Sequence, residues 1–181
     1  FLMDRFDGDE TVEFLKKCKE MGKTTFLDVC WDAKGRWGEL LDPALPYIDF
    51  FMPSIDEARE IAKCDGTPDE IADVFRQKGA KNVVIKLGSK GSFLRLENES
   101  KGTVYPCIKG ITAVDTTGAG DIFGGSAVWK LLQTGKAPEA LTEDELRDVV
   151  TFACTSAGLS TTKSGGISSV PEYADVLGRM A

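Results

Sequence analysis

The chain has 181 residues, 42 % hydrophobic and 28 % charged, the balance of one globular domain with a sizeable core. Its 22 basic and 29 acidic residues leave a net charge of −7 and no basic run. Nucleic acid and anionic membrane are therefore excluded as expected partners, and any anionic ligand has to be held by local geometry.

In chain order, Asp9 to Met21 spaces Val12, Phe14, Leu15, Cys18 and Met21 as a helix does, and Thr24 to Val29 reads as a strand. Trp31 to Leu41 reads as loop. Ile48 to Met52 is a short buried strand that ends at Pro53, and Ser54-x-x-Glu57 opens a helix with a capping box. Thr67-Pro68-Asp69-Glu70 opens another, running to about Lys78. Asn82 to Leu87 has the apolar, β-rich character of a central strand. Ser92 to Leu96 and Thr103 to Cys107 follow as strands joined by a polar turn. Gly118 to Thr134 starts glycine-rich and continues as a helix with Ile122, Phe123, Val128, Leu131 and Leu132 as its stripe. Thr142-x-x-Glu145 caps a helix to about Thr162, and a last helix starts at Pro171.

Helices interleaved with short apolar strands predict an α/β domain with a largely parallel sheet, whose ligands sit beyond the carboxyl ends of the strands. The absence of histidine excludes imidazole metal sites, Ser-His-Asp triads and Cys-His dyads, leaving acid–base work to carboxylates, Lys, Tyr or Cys. Five scattered cysteines with no CxxC pair, together with no secretory leader, predict reduced thiols and a cytoplasmic protein. No apolar stretch reaches the length of a membrane span.

The chemistry concentrates in residues 115 to 121, Asp-Thr-Thr-Gly-Ala-Gly-Asp, followed by a helix. Small residues at 118 to 120 let the backbone approach a ligand. The free N–H groups and dipole of the first helical turn suit a phosphate. Asp121 would then stand beside a bound phosphoryl group, where a carboxylate can orient and deprotonate an attacking hydroxyl. On these residues alone, a first-turn acid behind a tight turn is the competing reading.

Asp115 to Asp121, with its continuation Ile-Phe-Gly-Gly-Ser-Ala, resembles the C-terminal signature of the PfkB (ribokinase-like) carbohydrate kinases, and the resemblance runs from about Thr24 onward. It implies a three-layer α/β/α fold of which residues 1–181 are the C-terminal nucleotide-binding and catalytic portion. It also implies an anion hole at Gly118, Ala119 and Gly120, with Asp121 as catalytic base, and ATP and Mg2+ as cofactors. Lys86-Leu87-Gly88-Ser89-Lys90-Gly91 is similar to the family's strand and turn against the nucleotide, placing Lys86, Gly88, Ser89 and Gly91 there; a simple hairpin turn explains the same segment. Pro53 to Glu57 resembles the family's Asn-x-x-Glu element, with Ser54 where Asn is usual, so Glu57 alone carries over to magnesium and phosphate. The capping box explains it equally. Ala153 falls near the adenine by the same correspondence. Asp115, Thr117, Lys163, Gly165 and Ser169 match positions that bind a monovalent cation, K+, in ribokinase-like members; Ser169 also reads as N-cap of the last helix.

Two other patterns mislead. Gly22-Lys23-Thr24-Thr25 lacks the P-loop's earlier glycine, that position being Lys17, and leads into a strand. Trp31, Trp37, Tyr47, Phe50 and Phe51 are expected in the core rather than stacked on bases.

The family's Gly-Gly motif and β lid, which bind the acceptor sugar, are missing, and the first residue is Phe, so the chain is expected to be a piece of something longer. By the same resemblance Asp28 approximates an acid of the family's DxNxR stretch, although Asp28-Val29-Cys30-Trp31-Asp32 departs from that pattern. The Asp-Thr-Thr variant and the Pro-Ser start lean towards fructokinase or 2-keto-3-deoxygluconate kinase-like members, without identifying the sugar. The expectation is a sugar kinase, homodimeric in its full-length form. The rivals are a nucleotide-binding fragment that transfers nothing and an interaction domain whose glycine loops are incidental.

Overall fold

The structure, a computed structural model, describes residues 8–180. They divide into two compact units. One runs to Lys86 and takes in Phe93–Thr103; the other comprises Leu87–Ser92 and the chain from Val104 onward. No described helix is long and apolar enough to cross a membrane.

The first unit opens with α1 (Asp9–Glu20), which turns Val12 and Leu15 inward. Phe14 and Met21 lie on its exposed face, so only part of the predicted stripe is buried. The strands β1 (Phe26–Leu27), β2 (Phe50–Phe51) and β3 (Asn82–Lys86) pair parallel, with Phe26 opposite Phe50 and Phe51 opposite Val83. A polar and an aromatic anchor hold this register. Thr25 donates its N–H and hydroxyl to Asp49 Oδ2 at 2.8 and 3.1 Å, and Lys19 closes on the same carboxylate at 2.6 Å. Phe26 stacks on Phe50 with centroids 4.9 Å apart, and Phe51 meets Phe75 edge-on at 5.0 Å.

Both predicted capping boxes of this unit are closed. Ser54 starts α3 (Ile55–Ala62) and Thr67 starts α4 (Pro68–Gln77), each hydroxyl accepting from the backbone three residues on. The predicted loop at Trp31 to Leu41 contains instead a short helix, α2 (Trp37–Leu41). Asp32 organises its approach by accepting the Lys34 and Arg36 N–H groups at 2.9 and 2.7 Å. Of the aromatics expected in the core, Trp37, Phe50 and Phe51 are buried, Tyr47 is half-buried, and Trp31 is exposed.

Two more strands, β4 (Ser92–Arg95) and β5 (Thr103–Tyr105), complete a sheet of order β1-β2-β3-β4-β5. The connections β3–β4 and β4–β5 are too short for the crossover that parallel neighbours need, so hairpins extend a parallel core and the sheet is mixed.

The second unit is built on α5 (Ala119–Thr134), α6 (Glu143–Ser160) and α7 (Tyr173–Met180). Phe123 and Leu131 of α5 are buried, whereas Leu132, read as part of the same stripe, is exposed. The capping box of Thr142 and Glu145 opens α6, with ten of its residues buried. The last helix starts at Tyr173 rather than Pro171. Ser169 is accordingly not its N-cap; its buried hydroxyl donates to Gly166 O at 3.0 Å.

Candidate active site

In the second unit, the loop before α5 is fixed along its length. The N–H groups of Val114 and Asp115 both donate to Thr161 O, at 2.7 and 3.1 Å. Asp115 Oδ1 accepts the Thr117 N–H and Oδ2 accepts the Gly165 N–H, each at 2.9 Å. These bonds, Gly165's first, hold the Asp115 carboxyl down at a pKa of about 2. Gly118 caps α5 with a left-handed backbone (φ 75°), and a Cβ there would stand 3.1 Å from Gly166 Cα. The loop carrying Asp115, Thr117 and Gly118 is thus brought against the loop carrying Gly165 and Gly166.

Gly118 leaves α5 without a side-chain cap. The Ala119 N–H turns back to Thr116 O at 3.2 Å, while those of Gly118, Gly120 and Asp121 make no hydrogen bond to a described residue. Asp121 is exposed on the first turn. Of the three residues expected as an anion hole, Ala119 therefore has its donor committed, and Asp121's own N–H joins the free ones.

The other residues singled out in this unit lie apart from that loop in character. Gly88 and Ser89 are exposed on the turn after β3, which Leu87 N–H closes onto Gly91 O at 2.8 Å. Gly91 packs its backbone against Tyr105 O and Cys107 N. Ala153 is fully enclosed in α6. Beside it, Cys154 Sγ lies 3.4 Å from Ser92 Oγ, and burial pushes its thiol up to about 11 and raises that of Cys107 as well. Neither is a nucleophile at neutral pH. Lys163 is exposed beyond α6.

The first unit gathers charge at the carboxyl ends of its parallel strands. Lys86, the last residue of β3, places Nζ 2.6 and 2.5 Å from the two oxygens of Asp28, just after β1. Burial raises the Asp28 carboxyl against the pull of Lys86, and Glu57 pushes the same way. Ser54, after β2, bridges to Lys86. Ser54 N–H and Oγ both bond Glu57 Oε2, at 2.8 and 2.7 Å, and Oε1 has no donor among the described residues. Sequence reasoning singled out Lys86 and Glu57 and read Asp28 as approximating a family acid, but it missed the pairing of Asp28 with Lys86, 58 residues away.

Among the described residues no three His, Cys, Asp or Glu side chains cluster as metal ligands. Magnesium needs no such cage, since it keeps several waters and takes one or two carboxylates with substrate phosphates. The free oxygen of Glu57 suits that. Of the predicted K+ set, Asp115 accepts the Thr117 and Gly165 N–H groups, one on each oxygen, which leaves each oxygen a further lone pair, and the Ser169 hydroxyl donates to Gly166 O.

The model of the pfkB family carbohydrate kinases matches residues 2–173, and the chain belongs to that family. The match extends the likeness upstream of Thr24. The chain is similar to the ribokinase of Haemophilus influenzae, 33 % identical over 142 residues that cover 76 % of this chain and 42 % of that protein. A fructokinase of Solanum tuberosum is 32 % identical over 117 residues, 62 % of this chain and 34 % of that one. Among solved structures, Arabidopsis thaliana ribokinase complexed with ribose and ATP has a TM-score of 0.78 at 28 % identity, covering 93 % of this chain and 51 % of that one. Thermotoga maritima ribokinase gives 0.75 at 28 % identity, over 98 % and 54 %. The fold is ribokinase-like. The chain spans less than half the length of these curated relatives.

Proposed function

We propose that residues 1–181 are the nucleotide-binding and catalytic portion of a kinase that moves the γ-phosphoryl group of ATP to a hydroxyl of a sugar or sugar acid. The observation that carries this reading is the start of α5, where free N–H groups and an exposed carboxylate share one helical turn. Those donors offset charge on the phosphoryl oxygens, which is most of what a loose phosphoryl-transfer transition state asks of a protein. Asp121 accepts the proton of the acceptor hydroxyl as its oxygen bonds to the γ-phosphorus. The bond from that phosphorus to the bridging oxygen breaks, and ADP leaves with the electron pair.

Lys86, Gly88, Ser89, Gly91 and Ala153 are assigned to the nucleotide, and Glu57 to magnesium through Oε1. Magnesium, when bound, neutralises charge on the β- and γ-phosphates. The family match supports the class of reaction. Five cysteines, all unpaired, are in keeping with a cytoplasmic setting.

A second reading, a nucleotide-binding fragment with no turnover of its own, is favoured by the span of less than half the relatives' length. Calorimetric titration of MgATP into the chain tests both. Saturable binding weakened by Gly120→Val supports a working nucleotide site, and a folded sample that binds none overturns it. Phosphate transfer separates the two readings. Where turnover is seen, Asp121→Asn should lower it at least about a hundredfold while MgATP still binds; near-normal turnover removes Asp121 as base.

A further inference from the structure

At the end of α6, Ser160, Thr161 and Thr162 each turn the hydroxyl back to a carbonyl three residues earlier, at 2.8 Å, as hydroxyls on helices commonly do. Ser156, only 2 % exposed, does not. Its hydroxyl makes no hydrogen bond to a described residue, and neither does that of Ser126 on α5. Both serines line a cavity of about 190 Å³ between α5, α6 and α7. A buried hydroxyl without a partner costs free energy, so one that is kept calls for a partner from outside the chain.

The rest of the wall is largely aromatic. Phe152, one helical turn before Ser156, stacks on Trp129 with centroids 5.4 Å apart, and Tyr173 meets Trp129 edge-on at 5.4 Å. Phe152 and Val176 are buried, but Trp129 and Tyr173 stay 42 % and 50 % exposed. These rings therefore do more than close α7 against its neighbours; they leave a rim open to solvent. None of the described residues lining the cavity is charged. Lys130, 5.4 Å over the Phe152 ring, is committed to Asp148 at 2.8 Å. An ion would lose its hydration here and find no counter-charge. A flat neutral ring would gain stacking on the aromatic wall. A dry cavity of about 150 Å³ holds benzene, so this one has room for one ring or a fused pair.

We propose that this cavity is a binding site for a small neutral heteroaromatic molecule, stacked against Trp129 and Tyr173 with its polar edge at the Ser126 and Ser156 hydroxyls. The site is separate from the one assigned to the nucleotide and does not rest on the phosphoryl-transfer reading. Ala153 does not line it. Cys154, midway between Phe152 and Ser156, lies on the other side of α6, where its thiol meets Ser92.

Indole, titrated into the whole chain and followed by proton–nitrogen NMR spectra, is the probe. The expected result is saturable binding at about 1 mM or tighter, with shifts confined to the amides of α5, α6 and α7 that surround the cavity. Trp129→Ala, at a position already half exposed, should weaken it at least about tenfold. Ser156→Ala should weaken indole about threefold to tenfold and leave N-methylindole unchanged, because that analogue has no N–H to lose. Equal losses for the two probes would mean that the hydroxyl serves packing alone, and would overturn the proposal. Scattered shifts, or none that saturate, would also overturn it. Displacement of indole by MgATP would place it at the nucleotide instead, with the same consequence.

Discussion

Lys86 and Asp28 form an ion pair that links the carboxyl ends of β1 and β3, with β2 lying between these strands in the sheet. The pair does not stabilise the fold in any simple way. Burial raises the Asp28 carboxyl above its ordinary 3.8, so the native state holds the Asp28 proton more tightly than the unfolded chain does. Stability from this group is present below that value and is lost as pH rises through the native one. Lys86 limits the loss. Lys86→Met is therefore expected to cost about 1–3 kcal/mol at neutral pH, less than for a fully buried pair, since the side chains are 15 % and 26 % exposed. Urea unfolding should show the gap from wild type widening as pH rises from about 4 towards neutrality. Lys86→Met with Asp28→Leu should recover most of it, because no uncompensated charge then remains.

Asp115 titrates with the opposite sign. Its native carboxyl lies at about 2, below the ordinary 3.8, so its contribution is present above 3.8 and is lost as pH falls through 2. Asp115→Asn removes that dependence. The urea midpoints of variant and wild type should differ at pH 7 and converge near pH 2. A constant difference across that range would mean the carboxylate's charge plays no part in the tie.

The contrast between these two aspartates shows what the amino-acid order reveals. The capping boxes at Ser54, Thr67 and Thr142 are local, three residues from donor to acceptor, and all three helices start where those signals stand. The glycine-rich turn before α5 was legible for the same reason. Asp28 with Lys86 and Asp115 with Gly165 join residues 58 and 50 apart, and no spacing rule connects them. Helix α2 went unseen because five residues are too few to establish a 3.6-residue period. The K+ assignment came from matching positions in ribokinase-like members, a comparison that does not reveal the bonds from the Thr117 and Gly165 N–H groups to Asp115.

Thr142→Ala tests how far a single cap supports the long helix beneath it. Thr142 Oγ1 accepts the Glu145 N–H at 3.3 Å, and Glu145 Oε2 returns to the Thr142 N–H at 2.9 Å. Losing the hydroxyl should lower stability by about 1 kcal/mol, and Thr142→Ser should restore nearly all of it. Denaturant midpoints at unchanged slope would check this. A change in slope would indicate that α6 frays as a separate step.

Gly88 and Gly91 bound one turn yet differ in what surrounds them. Gly88 has φ +61° and open space where a Cβ would go. Gly88→Ala meets only the intrinsic cost of a left-handed backbone, about 1–2 kcal/mol. Gly91 has φ +101°, and its Cβ would stand 1.9 Å from Tyr105 O and 2.7 Å from Cys107 N, both main-chain atoms that cannot swing aside. Gly91→Ala must therefore push the β5 end of the chain away from the turn, at about 4 kcal/mol or more. Thermal melts of the two variants should show a modest shift for Gly88→Ala and a severe loss, or no soluble protein, for Gly91→Ala. Equal shifts would mean that the Gly91 contact is not maintained in solution. Because Gly88 is also assigned to the nucleotide, a Gly88→Ala chain that melts close to wild type but binds MgATP more weakly would separate its role at the ligand from its role in the turn.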